Sequence, residues 1–170
     1  MLIQQHMWTN GSRAFNRSWE EYKAGFNDSS GSFWLGNELL HQLTKLSKYK
    51  LRFELRRQSA GNVWYWAEYS TFVVTSEETK YLMHVDDYSS NIGDGFVLNH
   101  DGAMFSTYDS DNDSNATHNC AATAGGGFWW NTCGGTHSVA SVNTQLGGSF
   151  GWRYSTGIYN LLISRMWLTC

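Results

Sequence analysis

Three carboxylates stand at alternate positions in the segment DSDNDSNATHNC, which runs from Asp109 to Cys120. Such a run is typical of calcium loops, because Ca²⁺ prefers carboxylate and carbonyl oxygens on a flexible segment. An EF-hand also needs Gly at loop position six and Glu at position twelve. Counted from Asp109, those positions hold Ser114 and Cys120. The spacing excludes an EF-hand and leaves two hypotheses, a calcium loop of another type or a solvated acidic loop.

The rest of the sequence shows no catalytic pattern. The adjacent carboxylates Asp86 and Asp87 fall in a predicted strand, where successive side chains point to opposite faces. They therefore do not form the convergent pair that glycosidases use. Lone histidines without a nucleophile at a fixed spacing are more often structural than catalytic, and this applies to His84, His100, His118 and His137. The sequence predicts that the protein is not an enzyme.

Composition and charge limit the kinds of partner. The 170 residues are 41% hydrophobic and 16% aromatic, which suits one domain with a core rich in aromatic rings. The net charge of -3 provides no basic field, and no local Lys/Arg cluster stands out, so nucleic acid is not expected as a partner. No apolar run reaches the roughly 18 residues that a membrane span requires.

Sequons and cysteines both indicate an extracellular protein. Cys120 and Cys133 are close enough in sequence to close a small loop, and Cys170 is left over. An odd cysteine in a secreted protein implies a missing partner, an intermolecular bond or a free thiol. Five N-x-S/T glycosylation sequons occur, at Asn10, Asn16, Asn27, Asn112 and Asn115.

The first part of the chain is predicted to contain two helices. Ser18 reads as the N-cap of a short helix that follows a strand over residues 2–8 and ends at Gly25. A second helix, with Asn37 as its cap, places four leucines on one face at helical spacing. These leucines, which we expect in the core, are Leu39, Leu40, Leu43 and Leu46.

From residue 50 to residue 87 the pattern alternates with period two. Leu51, Phe53 and Leu55 point inward in the first of three predicted strands, which are joined by short turns. Antiparallel hairpins with helices to one side predict the α+β class. Beyond Ser89 the sequence is rich in Gly, Ser, Asn and Asp, and a loop-rich segment of this length needs a tie such as a metal ion or a disulfide.

Several motifs in a fixed order resemble one family. They are NRSWEEYKAGF, FWLGNELLHQLT, YKLRFEL, AEYSTFVV, NIGDGF, HDGAMFSTYDSDNDSNATHNCA and GGGFWWNTC. Together they resemble the C-terminal globular domain of fibrinogen and its relatives, the ficolins, tachylectins, angiopoietins and tenascins. The resemblance, over about residues 8–167, implies a helix and antiparallel-sheet part over 1–88 and a loop-rich, calcium-binding part over 89–170. Because the family domain begins with a further small subdomain, we expect the domain over 1–170 to be N-terminally truncated.

The resemblance implies how the acidic run is used. Asp111 and Asp113 correspond to the side-chain ligands of a calcium ion, and Asn115 and Thr117 to its carbonyl ligands. Asp109 would be a flanking charge. Cys120 and Cys133 match a family disulfide, and in the family lectins the peptide bond before the second cysteine is cis. We therefore expect a cis bond between Thr132 and Cys133.

The resemblance also implies a pocket for an N-acetyl group beside that bond, and here its residues are partly replaced. Phe150 and Tyr159 correspond to lining aromatics, with Gly151 after the first of them. A family tyrosine is replaced by Ala124 and a family histidine by Gly134. The predicted ligand-binding set is Ala124, Thr132, Cys133, Gly134, Phe150, Gly151 and Tyr159.

Two functions are carried forward. The favoured hypothesis is a secreted calcium-dependent lectin of innate immunity that recognises acetylated or other carbohydrate groups on cell surfaces, with homo-oligomers supplying avidity. The alternative is a non-catalytic protein-interaction module, of receptor-ligand or matrix type, with structural calcium. The alternative is motivated by the replacements at Ala124 and Gly134.

Overall fold

The computed structural model describes residues 1–7, 14–46, 48–58, 61, 63–133, 139–144, 151–154 and 157–170. For residues 139–141, 154 and 157–159 it describes the backbone alone. The strands are β1 (Leu2–Met7), β2 (Phe26–Asn27), β3 (Phe33–Trp34), β4 (Tyr49–Arg57), β5 (Trp64–Val74), β6 (Met83–Ser90), β7 (Val139–Ser141), β8 (Gly151–Tyr154) and β9 (Gly157–Thr169). The helices are α1 (Trp19–Ala24), α2 (Asn37–Thr44), α3 (Val97–His100) and α4 (Cys120–Ala124), with a 3-10 turn at Glu77–Thr79.

The strands form a nine-stranded antiparallel sheet in the order β2-β3-β1-β9-β4-β5-β6, and β7 and β8 extend it from one part of β9. The last strand of the sequence therefore lies in the middle of the sheet, where Arg165 is opposite Gln5 on one side and Glu54 on the other. The predicted antiparallel α+β fold is confirmed.

Helix α1 begins and ends as its sequence predicts. The Ser18 hydroxyl accepts from the backbone N–H of Glu21, and the Glu21 carboxylate accepts in return from the backbone N–H of Ser18, which is a capping box. Gly25 ends the helix at φ 91°, and a Cβ there would lie 2.5 Å from the carbonyl oxygen of Leu35. Only glycine fits this position.

The prediction for α2 was wrong at its edges. Leu40 is buried and Leu43 packs against the core, but Leu39 is 46% exposed and Leu46, beyond the helix end, is 80% exposed. Asn37 is the first helical residue rather than the cap, and its side-chain oxygen accepts from the Trp34 indole at 3.1 Å. Leu46 is exposed because it lies past the end of the helix, whereas Leu39 lies within the helix but outside the part of its surface that faces the core.

The core is one continuous cluster on the face of the sheet to which Leu51, Phe53 and Leu55 point. Its centre is aromatic: the Trp129 ring lies within 5.2 to 6.1 Å, between centroids, of Trp34, Phe72, Phe105 and Phe128. Its indole N–H donates to the carbonyl of Tyr81 at 2.8 Å. The core thus connects the sheet directly to the loop-rich part of the molecule.

Candidate calcium site

The acidic loop is attached to the core by a short antiparallel contact. Ser106 and Phe128 form a two-way backbone bridge, with N–H to carbonyl distances of 2.9 and 3.1 Å. Past the bridge, the backbone N–H of Asn112 donates to the Ser106 hydroxyl at 3.0 Å, and the Asn112 side-chain amide donates to the carbonyl of Phe105 at 2.9 Å. The loop therefore begins from a fixed position beside buried rings.

Asp109 is more than the flanking charge that the resemblance implies. One of its carboxylate oxygens accepts from the hydroxyl of Thr107 at 2.7 Å and from the backbone N–H of Trp19 at 2.9 Å. Trp19 is the first residue of α1, where backbone N–H groups have no partner within the helix. Asp109 thus connects the acidic loop to a helix 90 residues earlier in sequence.

Asp111 and Asp113 lie at the turn of the loop. One Asp113 oxygen accepts from the backbone N–H of Asn115 and the other from that of Cys120, both at 2.8 Å. Asp111 accepts from the backbone N–H of Asp113 at 3.4 Å. Partial burial and, to a smaller extent, the neighbouring Asp111 carboxylate raise the pKa of Asp113, although its two N–H donors oppose the shift. Two adjacent carboxylates, one of them half-buried, are an arrangement that a cation stabilises.

The oxygen donors present fit a calcium ion. No described residue donates a hydrogen bond to the backbone carbonyl of Asn115 or Thr117, so neither oxygen is already used as an acceptor. Carboxylate and carbonyl oxygens are the ligands that Ca²⁺ prefers. The Asp113 carboxylate also lies within 4.8 Å of the sulfurs of Cys120 and Cys133. Those sulfurs form a disulfide and supply no thiolate, so the group does not fit zinc.

The disulfide between Cys120 and Cys133 is confirmed, and Cys170 is an exposed free cysteine. The predicted cis bond is wrong: the described residues contain no cis peptide bond, and Thr132–Cys133 is trans. Trans is the ordinary form, lower in free energy by about 3 kcal/mol for a residue other than proline. The resemblance to the family lectins therefore does not extend to this bond.

Asn119 is a structural residue of the loop that sequence reasoning missed. Its side-chain oxygen accepts from the backbone N–H of Ala122 at 2.8 Å and caps α4. Its amide donates back to the carbonyls of Thr107 and Tyr108, at 3.0 and 3.3 Å. Asparagine before a short helical segment is an N-cap signal, which would have identified the first role but not the second.

The predicted acetyl pocket is only partly within the described residues. Ala124 is half-exposed at the end of α4, Thr132 is exposed, and Cys133 is half-buried and bonded to Cys120 at the start of α4. Gly151 is buried in β8, opposite Ser141 and Asn160. Gly134, Phe150 and the side chain of Tyr159 lie outside the described residues. Of the predicted pocket residues that the structure describes, only Cys133 is linked to another part of the predicted pocket, through its disulfide to Cys120 at the start of α4.

The sequons differ in accessibility. Asn16 and Asn27 are exposed. The Asn112 amide nitrogen donates to the carbonyls of Phe105 and Ser110, and that of Asn115 contacts the sulfur of Cys133 at 3.4 Å. A glycan on either nitrogen would replace these contacts. Asn10 lies outside the described residues.

His100 is a histidine with a structural role in the core. It is buried, and its Nδ1 lies 2.7 Å from the carbonyl of Trp129. Burial lowers the pKa of His100 to about 4, so it is neutral near pH 7. A neutral histidine surrounded by aromatic rings is a core residue and not an acid–base catalyst.

Comparison with known proteins identifies the family. The family model described as the C-terminal globular domain of the fibrinogen beta and gamma chains matches residues 1–160. Angiopoietin-4 of Homo sapiens is 38% identical over 171 residues, covering 97% of this chain and 33% of the relative. Tenascin of Gallus gallus is 43% identical over 124 residues, covering 73% of this chain and 7% of the relative. The protein thus spans about a third of the length of the angiopoietins it matches.

Solved structures give the same fold. The fibrinogen-like globe domain of human ANGPTL2 has a TM-score of 0.79 at 34% identity and covers 99% of this chain and 78% of that one. A lamprey fibrin D-dimer, complexed with the peptide Gly-His-Arg-Pro-amide, has a TM-score of 0.78 at 30% identity and covers 98% of this chain and 60% of that one.

These relatives bear on two expectations from the sequence, the absence of enzymatic activity and the lectin subtype. Fibrinogen-like domains of this kind are non-enzymatic, which confirms that the protein is not an enzyme. Angiopoietins and tenascin are among the relatives with the strongest similarity, and they do not support the lectin subtype. The chain belongs to the family of fibrinogen C-terminal globular domains.

Proposed function

We propose that this domain is a secreted, non-catalytic protein-interaction module in which calcium has a structural role. The angiopoietin and tenascin relatives support a protein partner rather than a carbohydrate. The disulfide and the exposed sequons at Asn16 and Asn27 support an extracellular location. The innate-immunity lectin function has no support from these relatives.

The observation that carries the proposal is exposed apolar surface beside the acidic loop. Met104 is 40% exposed and Tyr108 is 48% exposed, and in sequence they precede and follow the anchor at Ser106 by two residues. Met104 also lines a cavity of about 290 Å³ together with Asp113 and Trp130. An apolar centre with a polar rim is typical of protein-binding surfaces, in which Met and Tyr are enriched.

Calcium would act on this surface indirectly. The carboxylates of Asp111 and Asp113 and the carbonyls of Asn115 and Thr117 would hold the ion, which neutralises the paired charges when bound. Asp113 belongs both to this ligand set and to the cavity wall. Holding Asp113 in place therefore holds one wall of the proposed contact surface in place.

A partner like the peptide in the lamprey fibrin complex is not expected at the equivalent position. The resemblance to fibrinogen implies that such a peptide site uses polar side chains after the first loop cysteine and a histidine after the second. Here those positions are Thr123, Ala124 and Gly134. The proposed contact surface therefore lies around Met104 and Tyr108 instead.

The test compares three forms of the domain on an array of extracellular protein domains. These are the unchanged domain, the double variant Met104→Ser/Tyr108→Ser, and Leu46→Ser as a control. Leu46 is 80% exposed just past the end of α2, where no contact is proposed. We expect the unchanged domain and the control to bind the same array member. The double variant should bind it with an affinity lower by about tenfold or more.

A second arm separates the two functions. Each form is passed over N-acetylglucosamine resin with calcium and then with chelator. Passage without retention agrees with the proposal. Retention that free N-acetylglucosamine reverses would contradict it and restore the lectin hypothesis.

A further inference from the structure

The face of the sheet opposite the core carries arginine and tryptophan side chains in alternation. On β4 and β5 the guanidinium of Arg52 lies 4.8 Å from the ring centre of Trp66, and that of Arg56 lies 5.7 Å from the ring centre of Trp64. Arg165, from β9, also stacks on Trp64, at 4.9 Å. We call these five residues the arginine–tryptophan face. Strand order explains the cluster, since β9, β4 and β5 are neighbours although Arg165 is far away in sequence.

Two of the three guanidiniums have no carboxylate partner. Arg52 is neutralised by Glu54 and Glu68, each at 3.5 Å. All fifteen Asp and Glu residues of the protein lie in the described part, and none is within 4.0 Å of Arg56 or Arg165. Arg165 instead donates to the side-chain oxygen of Gln5 at 2.9 Å. Trp64, between these two arginines, is 36% exposed.

The charge of this face is opposite in sign to that of the whole protein. Glu54 and Glu68 pair with Arg52, and Lys50 pairs with Glu68. Counted together with these three ion-paired neighbours, the arginine–tryptophan face has four cations and two carboxylates, a net charge of +2, whereas all 170 residues carry -3. A local field of this kind attracts anionic partners over a distance. The side chains stand on an open sheet with strands about 4.8 Å apart, so their charges form a row instead of filling a pocket.

We propose that the arginine–tryptophan face binds a sulfated polysaccharide. The planar guanidiniums of Arg56 and Arg165 can each donate two parallel hydrogen bonds to sulfate oxygens. Trp64 is 36% exposed, and its exposed indole surface gives the apolar C–H groups of a sugar ring a place to pack. A long polyanion with repeated charges can contact several strands of an open sheet without needing a cleft. This inference shares only the extracellular location with the proposed function and does not involve the calcium loop.

The experiment measures binding of the purified domain to immobilised heparin at physiological ionic strength. The test variant is Arg56→Gln/Arg165→Gln. Its matched control, Lys23→Gln/Lys80→Gln, removes the same charge from the neighbourhood of Glu77 and Trp19. We expect the heparin affinity of the test variant to fall by about tenfold or more, because two charge-assisted contacts are lost. The control should bind like the unchanged domain, and chelator should have no effect.

Two further variants test the proposal if the glutamine variant does not fold. They are Arg56→Lys/Arg165→Lys and Trp64→Ala. The lysine variant keeps the charge but loses the planar fork, so intermediate affinity is expected. Trp64→Ala keeps both arginines and should bind several-fold more weakly, with folding checked by circular dichroism. Absence of heparin binding by the unchanged domain, equal losses in test and control, or unchanged affinity in the lysine and alanine variants would overturn the proposal. Displacement of heparin by polyglutamate at equal charge concentration would also overturn it, in favour of an acidic protein segment.

Discussion

The two parts of this domain are held together by different kinds of hydrogen bond. In the described residues up to 90, backbone groups pair mainly with other backbone groups, along the ladders that β1, β4, β5 and β6 form with one another and with β9. Over residues 91–133 there are two short helices and two isolated bridges, and many backbone N–H groups bond instead to Asp, Asn and Ser side chains. Examples of such acceptors are Asp94, Ser106, Asp111, Asp113 and Asn119.

This difference decides which part responds to its surroundings. A backbone ladder does not change with metal or redox conditions. A loop held by carboxylates and a disulfide does, because a cation alters the carboxylates and a reductant breaks the disulfide. We therefore expect the sheet part to be stable by itself against such changes and the loop part to depend on them.

Acid should produce the largest loss of stability, because each part contains one buried neutral histidine. Burial lowers the pKa of His6, in β1, and of His100, in α3, from 6.5 to about 4. Between these values the unfolded protein binds the protons that the folded protein excludes, so stability falls as pH falls from about 6.5 to about 4. Each histidine should account for about 3 kcal/mol of this loss. Urea unfolding in chelator across this range measures it.

The variants His6→Asn and His100→Asn locate the acid effect. Each should flatten the pH profile while lowering stability near neutral pH, since the Nδ1 contacts to Val142 and Trp129 are altered. A profile that stays equally steep in both variants would show that other groups cause the acid loss.

Trp129→Ala tests whether the loop part depends on the common core. Trp129 is fully buried and lies next to the loop anchor, whereas Phe53 is equally buried in β4. Both alanine variants should lose about 3 to 5 kcal/mol of unfolding free energy. We expect Trp129→Ala alone to lower calcium affinity as well, because Phe128, which it contacts, bonds to Ser106 at the base of the loop. Equal calcium affinities in the two variants, measured by calorimetry, would contradict this coupling.

The two parts also differed in how far the sequence predicted them. Period two in β4 identified Leu51, Phe53 and Leu55 as buried, because a ladder forces alternation. The loop contacts came from residues with no periodic pattern, so the bond between Asp109 and the backbone of Trp19 had no local signal. The disulfide followed from the family resemblance.

Basic surface was missed for a related reason. The sequence shows no strong Lys/Arg cluster, yet strand alternation and the central position of β9 bring Arg56 and Arg165 to the same indole ring. Such a cluster depends on strand order, which a linear pattern does not contain.

The exposure of Leu46 was missed because helix α2 ends before this residue.

Calcium should stabilise the loop part by less than the stability that acid or the Trp129→Ala substitution removes. If the ion binds only the folded state, a concentration about one hundred times Kd adds about 2.7 kcal/mol. Asp111→Asn/Asp113→Asn should abolish this increment. Asp87→Asn is the control, because Asp87 is exposed in β6 outside the loop and has φ 60°, which asparagine tolerates.

Hydrogen exchange shows where the calcium effect acts. With calcium, we expect slower exchange in residues 105–133 and little change in β4 and β5. An equal calcium effect in the double variant and in the unchanged domain would remove Asp111 and Asp113 as ligands.

Asp109→Ala should have the smallest effect, and it tests the connection between the two parts. Loss of a carboxylate that accepts a helix N-terminal N–H costs about 1 kcal/mol. Ser18→Ala removes the other N-terminal acceptor of α1 but does not touch the acidic loop. Both variants should speed exchange at the start of α1, whereas only Asp109→Ala should also lower calcium affinity. If Asp109 were only a flanking charge, its removal would change calcium affinity and leave the amide of Trp19 unaffected. Faster exchange at that amide would instead mean that the loop and the helix are stabilised through one carboxylate.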